Sequence, residues 1–377
     1  MAGIYIHIPF CKKACHYCDF HFSTSPQYKD QMLNALRSEI ILRKNYLDKE
    51  KIETIYFGGG TPSLLSADEL QILIGQITDQ FEVSSNAEIT LEANPDDLNP
   101  QYVREIKGTL INRFSIGVQS FYEEDLKWMN RAHTASEAQS AIKRVQDAGF
   151  ENITADLIYG FPLLSNEKWE FNIEQLVENH VPHISSYSIT VEPKTALAAF
   201  INKGKQPIMD EGQSASQFLI LIDHLAESGF EHYEISNFAK PGMHSRHNSN
   251  YWDGVNYLGI GPSAHSFNGE SRQWNISNNS KYIDGIELKK IPAETEILST
   301  ENKINEYIMT SLRTSKGMNL QSITEKFGSD YSNEIYNGLE PFLEKEWVNI
   351  NEQLVTLTRE GKLFADHIAS ELFLSTN

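Results

Sequence analysis

Two hydrophobic periods alternate through the first two-thirds of the chain. Short runs rich in β-branched and aromatic residues fall at 4–8, 54–57, 88–92, 113–118, 153–158 and 183–189. Between them lie longer stretches in which apolar residues recur every three or four positions, for instance 27–45, 67–81, 136–148, 167–178 and 212–229. The short runs predict strands and the longer ones amphipathic helices. Six strand-then-helix units in series imply an α/β fold with parallel strands joined by right-handed crossovers. Their spacing of about 25–50 residues suits a partial (β/α)6 barrel, with chemistry at the C-terminal strand ends. A doubly wound open sheet would show the same local pattern. Polar and special residues at the end of each run favour the barrel. Cys11 comes after the first, Gly58-Gly59-Gly60-Thr61 after the second, Glu92 ends the third, Gln119 comes after the fourth and Asp156 lies near the end of the fifth.

From about Tyr233 the period breaks around Phe238-Ala239-Lys240-Pro241-Gly242 and Gly259-Ile260-Gly261-Pro262, turn-forming sequences that predict a loop-rich connector over 233–299. A separate unit over 300–377 reads as three helices, a hairpin and a final helix, an order like that of a winged-helix module. The first unit then occupies 1–232.

Charge narrows the partners. The chain carries 51 acidic against 32 basic residues, a net charge of −19, so nucleic acid is repelled unless a local basic patch overrides that field. The C-terminal unit has 7 basic and 12 acidic residues, which argues against DNA reading by a winged helix. No stretch approaches the ~20 continuous apolar residues of a membrane-spanning helix, and the first residues read as a buried strand rather than a secretory signal. A cytoplasmic protein is expected, with contact at a membrane surface still open to it.

All three cysteines lie within eight residues, in Cys11-Lys12-Lys13-Ala14-Cys15-His16-Tyr17-Cys18. An odd number so tightly grouped is no disulfide framework and points to a reducing compartment and a metal or redox role. Thiolates are soft ligands for iron–sulfur clusters or zinc. Three cysteines leave one iron of a [4Fe–4S] cube without a protein ligand, open to an external chelate. Structural zinc completed by His7, His16 or His21, or three inert buried thiols, are the alternatives.

The C-x3-C-x2-C spacing resembles that of radical-SAM proteins, in which the open iron takes the amino and carboxylate groups of S-adenosylmethionine (SAM). Within that superfamily, Tyr5-Ile6-His7-Ile8-Pro9-Phe10-Cys11, Gly58–Pro62, Glu92-Ala93-Asn94-Pro95, the 116–121 segment, Asn130-Arg131-Ala132-His133 and the 156–162 segment resemble the oxygen-independent coproporphyrinogen oxidase group. By that resemblance Tyr5, Tyr17, Gly59, Gly60, Thr61, Glu92, Gln119, Arg131 and Asp156 form the SAM-contacting set. The roles are physically sensible: carboxylates for ammonium and hydroxyl groups, Arg131 for a carboxylate, aromatics for flat surfaces.

Two departures separate the chain from the oxidases. Little sequence precedes Cys11, where those enzymes carry an extension, and Asp19-Phe20 stands where they have a fourth cysteine. Cys18-Asp19-Phe20 is instead similar to the sister branch of heme chaperones, as is His247-Asn248-Ser249-Asn250-Tyr251-Trp252, an H-N-x-x-Y-W motif associated there with heme. The resemblance implies heme held by His247, Asn248, Tyr251 and Trp252, with His244 a lesser rival ligand. It also implies delivery of heme to apo-enzymes of the respiratory membrane without coproporphyrinogen oxidation, and a homodimer. Oxidative decarboxylation of coproporphyrinogen III is the alternative.

Overall fold

The computed structural model describes residues 1–375. Twelve strands form one sheet: β1 (Ala2–Ile8), β2 (Ile52–Gly59), β3 (Val83–Ala93), β4 (Arg113–Gln119), β5 (Asn152–Tyr159), β6 (His183–Ser188), β7 (Glu231–Glu234), β8 (Asn237–Ala239), β9 (Asn256–Ile260), β10 (His265–Phe267), β11 (Ser271–Asn275) and β12 (Ala293–Ile297). β1 to β6 pair in sequence order, all parallel. The order never reverses, as it would in a doubly wound sheet. β1 and β6 do not pair with each other. β9 continues the sheet beyond β1, and β8 beyond β6, so the barrel stays open.

Alternation along the six strands explains what the sheet encloses. Ile4, Ile6 and Ile8, Ile55 and Phe57, Ile89 and Leu91, Phe114 and Ile116, and Ala155 and Leu157 belong to the apolar core. The intervening positions are polar: Tyr56 on β2, Glu92 on β3, Arg113 and Ser115 on β4, Thr154 and Asp156 on β5, and Ser185 on β6 line a single cavity. Successive residues of a strand face opposite sides. A closed β/α barrel fills its interior with branched apolar side chains; here a polar inner face keeps a cavity.

The helices that cover the outer face start where their caps dictate. Ser66 with Glu69, and Thr134 with Glu137, form capping boxes that begin helices Ala67–Gln80 and Ala135–Asp147. Asn99 caps Pro100–Lys107, with proline at the first turn.

The segment 233–299, expected to be a loop-rich connector, instead carries β8 to β12 and helices Arg246–Trp252 and Asn279–Glu287. One buried carboxylate ties this extension to the barrel. Glu39, on helix Lys29–Leu42, accepts from the backbone N–H of Gly261 (2.8 Å), Asn275 Nδ2 (2.8 Å) and the Tyr282 hydroxyl (2.5 Å), with the Arg43 guanidinium 3.5 Å away. It has no exposure to solvent.

The C-terminal unit has its own core, with Ile304, Ile308, Leu312, Ile323, Phe342 and Ile368 at its centre. Its three-stranded sheet is ordered β13 (Met318–Asn319), β15 (Leu354–Leu357), β14 (Val348–Asn351). With four helices before the hairpin, one more than the sequence predicts, and one after it, this is a small, mainly helical winged-helix-like arrangement. Among the described residues no helix is long and apolar enough to cross a membrane.

Candidate functional site

The loop after β1 carries the three cysteines to the rim of the barrel cavity. Backbone bonds fix its course. Cys11 donates to Ser23 O (3.0 Å), Ser23 to Pro9 O (2.9 Å) and His16 to Met129 O (3.0 Å), while Asn130 Nδ2 donates to Ala14 O (2.8 Å). None of these bonds uses a thiol. Gly60 lies so close beneath that a Cβ there would sit 2.6 Å from Phe10 O and 2.7 Å from Ile8 O. Only glycine lets the turn after β2 approach the start of the cysteine loop.

Cys11, Cys15 and Cys18 line the cavity, of about 400 Å3, together with Tyr17, Gly59, Gly60, Thr61, Glu92, Gln119, Arg131 and Asp156. Eight of the nine expected SAM-contacting residues are thus in one place. Tyr5 is the exception: its ring stacks on Tyr56 (centroids 6.2 Å apart) and its hydroxyl pairs with His7 Nδ1 (3.2 Å), outside the lining. Tyr5 and Tyr56 pair in register and so face the same side of the sheet, and it is Tyr56, beside it on β2, that reaches the wall. Tyr56 was missed by sequence reasoning, though its position two residues before Gly58 on an alternating strand signals it. Asn94, Arg113, Ser115 and Ser185 were missed in the same way.

Burial perturbs the acids inside the cavity, and one donor there goes unpaired. Glu92 accepts from the Tyr56 hydroxyl (2.8 Å) and the Gly59 N–H (3.2 Å), yet burial pushes its carboxyl up to about 7, with the Asp156 charge adding to the effect. Burial likewise raises Asp156 to about 6. Two buried carboxylates facing one cavity call for a cationic or hydroxyl-bearing occupant. Arg131 donates through Nη2 to Asn94 Oδ1 (2.7 Å) and Gly117 O (2.9 Å), and its Nη1 lies 3.5 Å from Cys15 Sγ and from the Tyr17 hydroxyl. Its Nε is buried with no acceptor, a donor left for an anionic group. Gly117 makes room for this cluster, because a Cβ there would lie 2.9 Å from Gln119 Nε2 and 3.0 Å from Arg131 Nη2. Gln119 itself ends β4 at φ 67°, a left-handed conformation that is uncommon outside glycine and concentrates at functional sites.

The three histidines that could complete a zinc site are engaged elsewhere. His7 Nε2 pairs with His21 O (2.8 Å), His16 Nδ1 with Trp128 O (2.8 Å) and His21 Nε2 with Asn279 Oδ1 (2.7 Å). Among the described residues no group of three or more His, Cys, Asp or Glu side chains is placed to hold a metal ion. Thiolates on a four-iron cube occupy separate corners and need no common point. The cysteine loop, the orphaned Arg131 Nε and the paired acids fit a cluster with a zwitterionic, cationic chelate better than a Cys3His zinc.

The expected heme motif is divided by the fold. Helix Arg246–Trp252 seals the interior near the N-terminal ends of β1 and β2. Glu88 accepts from the N–H groups of Arg246 (3.1 Å) and His247 (3.0 Å) at its first turn. His247 is 2% exposed, stacked on Tyr56, with Nδ1 on the Thr54 hydroxyl (2.8 Å) and Nε2 on the Tyr251 hydroxyl (3.0 Å). Burial, aided by the Arg113 charge, lowers its pKa to about 3, so the ring is neutral. With both nitrogens hydrogen-bonded, His247 pins the helix to β2. Asn248 reaches the barrel cavity, whereas Tyr251 and Trp252 line a different cleft. His244 pairs with Glu231 (2.8 Å) and stacks on Tyr233. His247→Ala is expected to lower stability by about 2–4 kcal/mol, since two buried hydroxyls lose partners and a cavity opens. Urea unfolding measures this, and an unchanged midpoint would rule out the pin.

Comparison with known proteins agrees with this geometry. The Radical SAM superfamily profile matches residues 5–176, and that of the HemN C-terminal domain matches 298–364. The heme chaperone HemW of Bacillus subtilis is 36% identical over 98% of both chains, and that of Lactococcus lactis 32% identical over 98% of this chain and 97% of its own. Among solved structures, coproporphyrinogen III oxidase (HemN) from Escherichia coli superposes with a TM-score of 0.86 at 23% identity, covering 99% of this chain and 90% of its own, which establishes the shared fold. Identity above 30% sustained from end to end, on a barrel whose rim gathers three cysteines, places the chain in the HemW family of radical SAM proteins.

Proposed function

We propose that the protein is a heme chaperone, which binds heme and passes it to apo-enzymes of the respiratory membrane, and that it carries a [4Fe–4S] cluster and SAM in its barrel cavity. The observation that carries this reading is the full-length relation to proteins named heme chaperone HemW, at 36% identity for the Bacillus protein. Asp19-Phe20 at the cavity mouth, in place of a fourth cysteine, supports it against the oxidase.

In this reading Cys11, Cys15 and Cys18 ligate the cluster. Glu92 and the Gly59-Gly60 turn take the amino group of SAM, Arg131 its carboxylate, and Asp156 and Gln119 its hydroxyls. When bound, the cluster supplies an electron able to cleave the sulfonium. The protein's own contribution is a buried, polar chamber that orients the ligand and excludes water.

The protonation of Glu92 gives this assignment a pH signature. Below about 7 the empty cavity holds a proton on Glu92, which a cationic ligand must displace. SAM affinity is expected to rise as pH rises from 6 to 7, by at most about tenfold per unit for one proton released, and to flatten above. Calorimetric titration at pH 6, 7 and 8 checks this. Glu92→Gln should bind more weakly and with a shallower slope, the part left to Asp156 at about 6, and a profile unchanged by the substitution would remove Glu92 from the amino-group site.

The function itself is tested by anaerobic reconstitution with iron and sulfide, then heme titration and a coproporphyrinogen turnover assay on the same sample. Saturable heme binding without decarboxylated product is expected. Turnover that requires SAM and an electron donor would restore the oxidase reading, which the HemN-like fold alone leaves standing.

A further inference from the structure

At its β7 edge the large sheet is extended by the C-terminal unit. The 313–315 segment runs antiparallel to β7, with the Ile235 N–H donating to Arg313 O (3.0 Å) and the Ser315 N–H to Tyr233 O (3.0 Å). The side chains beside this seam do not close on one another. They leave a pocket of about 210 Å3, below the ~300–1,000 Å3 of a cofactor-sized site, so it suits a small molecule. It shares no lining residue with the barrel cavity.

Three charged groups on the wall of this pocket lack full partners. Glu234 is 2% exposed; its Oε1 accepts from Asn237 Nδ2, while its Oε2 is buried with no donor. Arg313 pairs through Nη1 with Asp366, but its Nε is buried with no acceptor. Lys362 donates to His232 Nδ1 (2.9 Å), which can accept because His232 Nε2 donates to Ile235 O (3.1 Å). That imidazole is neutral, held at about 3 mainly by burial, so Lys362 has a hydrogen-bond partner but no counter-charge.

Buried polar atoms are rarely left unpaired, and these three ask for different things. Glu234 needs a donor, whereas Arg313 and Lys362 need an acceptor with negative charge. A simple anion would meet the cations and be repelled by Glu234; a simple amine would do the reverse. Ile235, Leu312 and Leu357 make the rest of the wall apolar. We propose that this pocket binds a free α-amino acid with a small apolar side chain, its ammonium on Glu234, its carboxylate between Arg313 Nε and Lys362, and its side chain against Leu312 and Leu357. Because the walls come from both units, the occupant clamps the C-terminal unit to the sheet edge and stabilises the folded chain by mass action.

The test uses the full chain, reconstituted with iron and sulfide and saturated with SAM so that the barrel cavity is filled. It is titrated with L-alanine, L-valine, L-leucine and L-methionine, following Tm and saturation-transfer NMR of the amino acid. At least one should bind saturably and raise Tm. Its analogues lacking the amino group or the carboxylate should each bind at least about tenfold more weakly, the loss of one charge-assisted hydrogen bond. Glu234→Gln and Lys362→Met should each weaken binding by a similar factor, and Leu357→Trp, which fills the pocket, should abolish it. Circular dichroism checks the fold of each variant, and if Leu357→Trp disturbs it the other two decide. Binding of none of the four amino acids means that the pocket holds water alone and overturns the proposal. Binding unchanged in Glu234→Gln and Lys362→Met lies elsewhere and also overturns it. A carboxylate analogue that binds as tightly as the amino acid makes this an anion site and overturns the zwitterion. None of these outcomes bears on heme, so the chaperone reading stands or falls separately.

Discussion

Cys15→Ser is expected to abolish the iron–sulfur chromophore of anaerobically reconstituted protein while leaving the apo-protein folded. A serine hydroxyl is a hard oxygen donor that stays protonated at neutral pH, so it replaces neither the softness nor the charge of a thiolate. The loop does not need the thiol for its shape. Its course is set by the Cys11–Ser23, Ser23–Pro9 and His16–Met129 backbone bonds and by Asn130, while Cys15 Sγ accepts from the Arg131 guanidinium at 3.5 Å. Loss of bound iron should be at least as large as the ~10–100-fold that removal of an outer-shell partner costs. Iron and sulfide analysis reads it, with circular dichroism as the control on folding. Full iron retention would mean that Cys15 is no ligand. His16→Ala and His21→Ala should keep the chromophore, because both rings are committed to other acceptors.

The second large effect belongs to the frame of the site. Glu39→Leu should destabilise the protein by about 3–5 kcal/mol, the cost of breaking a buried charged network by removing one partner. The Gly261 N–H and the Tyr282 hydroxyl would be left without their acceptor, the Asn275 amide would keep only Gly261 O, and Arg43 would lose its counter-charge. Tyr282→Phe removes a single bond of the same network and should cost nearer to about 1–2 kcal/mol. Chemical unfolding followed by tryptophan fluorescence separates the two, and equal midpoints for both variants would show that Glu39 does not organise the junction.

Much of the barrel was legible because each of its strands is long enough to show a period and is followed by an amphipathic helix. The glycine turn and the cysteine loop were legible for a different reason, since glycine runs and clustered thiols have few other uses. The polar inner face was equally visible, as Glu88, Thr90 and Glu92 alternating with Ile89 and Leu91, but a reading for apolar runs passes over what lies between them. Tyr5 and Tyr56 show the limit of a motif. Both stand on alternating strands and, paired in register across β1 and β2, both face the same side of the sheet, so a strand pattern cannot tell that Tyr56 lines the cavity while Tyr5 packs against it. The 233–299 segment hid its strands because β8 and β10 have three residues each, too few for a period, and β12 is mostly exposed. His247 shows what a motif leaves out: the sequence marks it for heme, and only the fold shows its nitrogens hydrogen-bonded to Thr54 and Tyr251.

The parallel pairing of β1 with β9 also sets a schedule for making the protein. Every other neighbour in the barrel follows its partner closely in the chain, whereas Tyr5 meets Gly259, about 250 residues later. At translation rates of about 5–20 residues per second, roughly 12–50 s pass between the two on the ribosome. Throughout that interval a strand destined for burial on both sides has one flank of backbone donors and acceptors open, the kind of edge on which chains associate. The wall that carries the cysteine loop is then half built. The stage before β9 emerges is therefore the aggregation-exposed step of biosynthesis, and ribosome-bound chains arrested short of residue 256 are where general folding chaperones should be found holding this protein.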